Sequence, residues 1–115
     1  MKKKSISKWK KEADRVFSLW IRNREKACVT CGNKNNLQAG HFESRSFNQL
    51  RYSEINVHTQ CVGCNMFKSG NMAEYARFMI KKYGVEILDE LAREKRKIKQ
   101  WKTGELEEII ERYKI

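Results

Sequence analysis

Four cysteines stand in two pairs, Cys28-Val-Thr-Cys31 and Cys61-Val-Gly-Cys64, with 29 residues between the pairs. Each Cys-x-x-Cys turn presents two thiolates to one side, and two turns fill the four positions around a tetrahedral Zn²⁺ at about 2.3 Å per sulfur. An ion held by four sulfurs keeps no open position for water. The expected role is therefore structural, adding to the free energy of folding rather than to catalysis. Two disulfides or a dithiol redox motif are the rival readings. A reducing compartment disfavours the first, and the second leaves one pair unused. The gap between the pairs is long enough to hold a β-hairpin.

Inside and just after this staple lie Gly40-His41-Phe42, Asn56-Val57-His58 and Asn65. An imidazole suits general-base work near neutral pH. A hairpin followed by a helix would bring these segments around one groove, with His41 on the first strand, Asn56 on the second and Asn65 at the helix start. Against this, a lone histidine is commonly a surface or core residue, and asparagine near a turn is commonly a turn former. Arg45, Arg51 and Lys68 are nearly all the basic residues of a sparsely charged segment. They are read as contacts to backbone phosphate.

These segments carry a resemblance. His41, Asn56 and Asn65 sit where the His-Asn-His/Asn signature of HNH (ββα-metal) nucleases falls, in the subgroup with a four-cysteine zinc. The order of motifs is similar to that of endonuclease VII, a phage Holliday-junction resolvase. It is closer still to the NinG (Rap) recombination proteins of lambdoid phages, through Cys28–Gly32, Gly40–Arg45, Arg51-Tyr52, Asn56–Cys61, Cys64-Asn65, Gly70-Asn71, Glu74-Tyr75 and Tyr83-Gly84, with Phe17–Arg22 upstream. The resemblance implies phosphodiester hydrolysis on branched DNA. His41 would be the general base, Asn65 a ligand of one catalytic Mg²⁺ or Mn²⁺, and Asn56 the residue that orients base and hairpin. The pattern departs at Gly40, where many HNH sites carry a second metal ligand. His58 is the first candidate to replace it, and Glu43 the second.

The elements that must position these residues follow from periodicity and charge. Residues 1–26 carry ten basic and three acidic side chains, residues 27–70 four and two, and residues 71–115 eleven and nine, which sums to the net +11. Such an excess on 115 residues points to a polyanionic partner. In the first part, Trp9, Ala13, Val16, Phe17, Trp20 and Ile21 form an amphipathic stripe, with Lys10, Lys11, Arg15, Arg22 and Arg24 largely off it. In the second part, strands are expected over 37–42 and 54–59, joined through 44–53. The third part reads as helical from Cys61, with Asn71 and Glu74 at capping-box spacing and a helix from Met72. Gly84 ends that helix, Val85, Leu88, Leu91 and Ala92 carry another into the Lys/Arg-rich stretch 93–99, and Lys102-Thr-Gly breaks it before a last one carrying Leu106, Ile109, Ile110 and Tyr113.

The expected fold is thus α+β: one domain over 1–115, a zinc-stapled ββα core (27–70) between an N-terminal helix (1–26) and C-terminal helices (71–115). No apolar run is long enough for a membrane span, and no apolar segment of a signal peptide follows Met1, so a cytoplasmic location and no membrane partner are expected. The expected activity is a structure-specific DNA endonuclease. The alternatives are a degenerate HNH module that binds DNA without cutting, and an RNA-binding zinc ribbon. A homodimer, built on the aromatic stripe or the C-terminal helices, would suit symmetric cutting of a junction.

Overall fold

The computed structural model describes residues 4–115; Lys2 and Lys3 of the basic N-terminal run lie outside the described residues. Helix α1 (Ile6–Glu25) begins where Ser5 Oγ accepts from the Lys8 amide at 3.3 Å. It ends at Lys26, whose left-handed φ of 62° turns the chain while its N–H closes onto Arg22 O. The stripe read from the sequence is its inner face: Ala13, Val16, Phe17 and Ile21 are buried, and Trp9 and Trp20 are half-buried beside them.

Strands β1 (Leu37–His41) and β2 (Val57–Cys61) form an antiparallel pair, with Gly40 opposite His58 and His41 opposite Val57. The second strand starts three residues later than its expected position at 54. A turn closed by Val57 N to Ser53 O and by Asn56 N to Ser53 Oγ takes residues 53–56 out of the ladder. Cys61 accordingly ends a strand rather than opening the helical part. After it comes one wide helical turn, Gly63–Phe67, closed by an i→i+5 bond from Lys68 N to Gly63 O.

Helices α2 (Met72–Tyr83), α3 (Glu86–Glu94) and α4 (Thr103–Tyr113) complete the chain. The capping box at Asn71 does not form. Asn71 is left-handed (φ 47°), and its amide nitrogen reaches Cys64 Sγ at 3.6 Å instead of capping α2. α3 stops at Glu94, short of the expected run through 93–99, and Thr103 and Gly104, expected to lie between two helices, form the first turn of α4.

Packing places the sheet between two helical layers. α1 lies along one side, and α4 folds back onto it: Phe17 meets Tyr113 edge-on at 4.8 Å and Tyr52 at 5.7 Å. On the other side Tyr75 and Met79 of α2 join Leu50, Ile87 and Leu91 in a second cluster against Phe42. The aromatic stripe that could have served a dimer is therefore covered from within the chain.

Phe17 touches three aromatic rings in this core, whereas Leu19, 40% exposed on the same helix, lies off it. Phe17→Ala is expected to lower unfolding free energy by about 3–5 kcal/mol and Leu19→Ala by under about 1 kcal/mol, read by urea titration.

Candidate active site and metal centre

The two Cys-x-x-Cys turns converge. The sulfurs of Cys28, Cys31, Cys61 and Cys64 all lie within 4.8 Å of one another, and none is in a disulfide. Four thiolates around one ion at about 2.3 Å would stand roughly 3.8 Å apart, and Cys31 Sγ–Cys61 Sγ is 3.6 Å. The four cysteines are positioned to bind one metal ion. Backbone bonds shape the first turn, with Gly32 N to Cys28 O and Cys28 N to Asn33 O both at 2.8 Å, and Gly32 takes the φ of +83° that this reversal needs. Val29 N to Thr59 O and Val62 N to Asn36 O tie both knuckles to the sheet.

Beside this centre an open cavity of about 470 Å³ is lined by Asp14 and Ser18 of α1, Gln38 and His41 of β1, Arg45, Arg51 and Tyr52 of the connecting loop, and Asn65 of the wide turn. His41 and Asn65 thus share one cavity. His41 Nε2 lies 3.0 Å from Arg51 O, and a carbonyl only accepts, so Nε2 carries the proton and Nδ1 is left as the basic nitrogen. Burial, helped by the charges of Arg45 and Arg51 and opposed by the carbonyl contact, pulls the His41 pKa below its ordinary 6.5. Asn65 Nδ2 donates to Gln38 Oε1 at 2.8 Å, which turns Asn65 Oδ1 away as a free acceptor.

Asn56 is buried and holds the hairpin together. Its Oδ1 accepts from Glu43 N at 2.8 Å, and its Nδ2 donates to Glu43 O at 2.9 Å and Leu50 O at 3.3 Å. It does not touch the cavity, and any orienting effect on His41 passes through the loop that it clamps.

His58 and Glu43 stand elsewhere. By register His58 faces the side of Gly40, not that of His41. It is fully buried against Tyr75, Phe78 and Tyr83, with Nδ1 on the Glu25 carboxylate and Nε2 3.0 Å from both Ile55 O and Tyr83 Oη. Both nitrogens are engaged by protein, so His58 is a packing residue rather than the expected metal ligand. Glu25 answers it: bonds from His58 and the Thr59 amide outweigh burial and hold this carboxyl below 4.5. Glu43 pairs with Lys95 Nζ at 3.2 Å, away from the cavity.

The three basic residues also separate. Arg45 lines the cavity with its side chain 65% exposed, 3.9 Å from Asp14. Arg51 is held by Asp14 in a two-pronged pair, Nε to Oδ1 at 2.9 Å and Nη2 to Oδ2 at 2.5 Å. Tyr52 Oη donates to the same carboxylate at 2.9 Å; burial and the Asp14 charge push this hydroxyl above its ordinary 10.0, so it stays a donor. Arg51 is thereby committed to fixing the loop whose carbonyl receives His41. Lys68 is exposed and lies outside the cavity lining.

Two features had no sequence signal of their own. Asp14 is one of three acids in a basic segment, and its pairing with Arg51 emerges only when α1 and the loop pack together. Gln60 explains Gly40: a Cβ there would stand 2.1 Å from Gln60 Oε1. Gln60 Nε2 donates to Gly70 O at 2.8 Å and to Thr30 Oγ1 at 3.2 Å. Its Oε1 is the one buried side-chain oxygen or nitrogen without a partner among the described residues.

The family profile described as "Bacteriophage Lambda NinG protein" matches residues 1–115. The chain belongs to the NinG family. It is similar to the "Protein ninG" of Salmonella phage P22, 35% identical over 115 residues, covering 96% of this chain and 56% of that protein. It is also similar to the "Protein ninG" of Escherichia phage lambda, 39% identical over 93 residues, covering 76% and 46%. This NinG-family chain spans about half the length of the curated relatives it matches. No solved structure matches it. No helix among its described residues is long and apolar enough to cross a membrane.

Two outcomes follow from the geometry. Gly40→Ala is expected to cost about 1–3 kcal/mol through the collision with Gln60, seen as a lowered denaturation midpoint that Gly40→Ala/Gln60→Ala partly restores. Native mass spectrometry is expected to find one metal ion per chain, lost in Cys64→Ser together with several degrees of Tm.

Proposed function

We propose that this chain is a metal-dependent DNA endonuclease of the HNH kind, acting on branched DNA, with a structural zinc in the four-cysteine centre. The observation that carries the reading is the His41 imidazole. It lines a cavity shared with Asn65 and Arg45, and its Nε2–H is held by Arg51 O so that Nδ1 is free to take a proton. Resemblance of the motif order to HNH nucleases supports the same assignment, and the branched substrate rests on that resemblance alone.

In the reaction, His41 Nδ1 takes a proton from water, and the water oxygen forms a bond to phosphorus as the P–O3′ bond breaks. The leaving 3′ oxygen takes up a proton from solvent. Arg45 holds a non-bridging phosphate oxygen, and Asp14 keeps Arg51 and its carbonyl in place. Mg²⁺ or Mn²⁺, when bound, would supply charge stabilisation to the phosphate and the leaving oxygen. Asn65, which lines the cavity with its Nδ2 on Gln38 Oε1, would hold such a cation through Oδ1.

A second reading, a DNA-binding module that does not cut, draws on one observation. Of the three expected cation ligands, Asn65 alone lines the cavity. Cleavage of a four-way junction and of matched linear duplex in Mg²⁺ and then Mn²⁺ separates the two. The expected outcome is junction cutting that falls about 10²–10⁴-fold in His41→Ala with zinc content unchanged. Junction binding with no cutting by the wild type selects the second reading.

The rate has its own pH signature. His41 is pulled below 6.5 and works as the free base. Activity should hold at neutral pH and fall on the acid side only below pH 6.5, as protonation of Nδ1 removes the base; an acid limb centred above pH 7 would exclude His41 from that role.

A further inference from the structure

We propose that the tip of the wide turn, Met66-Phe67-Lys68, is an apolar lip that stacks on bases already unstacked at a branch point in DNA, and so discriminates branched from linear substrate. The inference rests on the endonuclease reading above.

Phe67 is 83% exposed and Met66 61%, side by side in sequence; the next most exposed aromatic among the described residues is Phe47 at 37%. An apolar pair so placed, where every other aromatic among the described residues is 37% exposed or less, marks a contact surface. The tip is held stiffly. Lys68 N bonds Gly63 O at 2.9 Å, Ser69 N bonds Met66 O at 3.2 Å, and Gly70 N bonds Cys64 O at 2.8 Å, so the turn is anchored directly on the cysteine centre. Met66 Sδ receives Gln38 Nε2 at 3.8 Å, which ties the tip to β1 as well.

Position and charge select the occupant. Asn65 precedes the tip and Ser69 and Gly70 follow it, and all three line the cavity that holds His41. The lip therefore stands on the rim of the cutting site. Lys68 extends it with an exposed positive charge, on a chain of net +11. A partner with anionic groups and flat apolar faces within one nucleotide's reach meets both demands. Linear duplex offers the tip phosphate, sugar and base edges but no open base face, because its bases are stacked on one another. At a branch the stack is interrupted, and a phenyl ring can cover an open base face without the cost of opening a step.

The test uses the full chain with Ca²⁺ in place of Mg²⁺ or Mn²⁺, and wild type, Phe67→Ala and Phe67→Trp. Affinity is measured for a four-way junction carrying 2-aminopurine at the branch and for matched linear duplex, and sedimentation velocity records the oligomeric state. Phe67→Ala is expected to weaken junction binding about tenfold, leave duplex binding within twofold, and abolish a change in 2-aminopurine emission that Phe67→Trp retains. Equal weakening on both DNAs, or undiminished junction affinity, overturns the lip while leaving the endonuclease reading standing. A drop in oligomeric size in Phe67→Ala overturns it in favour of a contact between copies. Wild-type protein that binds neither DNA overturns the lip and the endonuclease reading together.

Discussion

Four sulfur atoms gathered within 4.8 Å carry a mutual repulsion, as thiolates, that a shared cation relieves, and much of this chain's local geometry is arranged around that point. Cys61 closes β2, Cys64 is the second residue of the wide turn, and the Cys28–Cys31 knuckle hangs from β2 through Val29. Ser69, Gly70 and Asn71 then take three successive left-handed conformations, a costly path for Ser and Asn. The compensation is visible: Gly70 N and Asn71 Nδ2 reach Cys64, and Gln60 caps Gly70 O. The centre thus fixes where Asn65 stands relative to β1, which makes it the foundation of the cavity without being part of its chemistry.

The other wall is electrostatic. Asp14 gathers Arg51, Tyr52 and, at longer range, Arg45. An arginine with its side chain 15% exposed needs a partner of this kind, since an unpaired guanidinium there would be strongly destabilising. Through Arg51 O the pair sets the tautomer of His41. Helix α1 therefore contributes to the cavity wall one carboxylate committed to Arg51 and Tyr52, and the loop between the strands is held at both its Arg51 and its Asn56 end.

What was legible in the sequence was what periodicity and ligand spacing encode. The stripe on α1, the start of α2 at Met72, and the pairing of the two cysteine motifs on one point all appear as read. What was not legible depended on register and on side chains meeting across distant segments. A shift of β2 by three residues put Asn56 in a turn, and the pairing of Gly40 with His58 carried that histidine to the opposite face from His41. Asn71 had the spacing of a cap, but a nearby sulfur offered its amide another partner. The vacancy at Gly40 looked like a missing ligand; it is the space that the Gln60 carboxamide occupies.

The embrace of α1 by α4 bears on how the chain folds. Phe17 and Trp20 find Tyr113 only after nearly the whole described chain has been brought round, so the principal core is built from contacts of long sequence separation. Such closure is slow, because the entropy of the intervening loop is lost before the contact is made. An ion bridging Cys28 and Cys61 would shorten the effective loop before the terminal helices meet, so its capture would speed that closure as well as stabilise the closed fold.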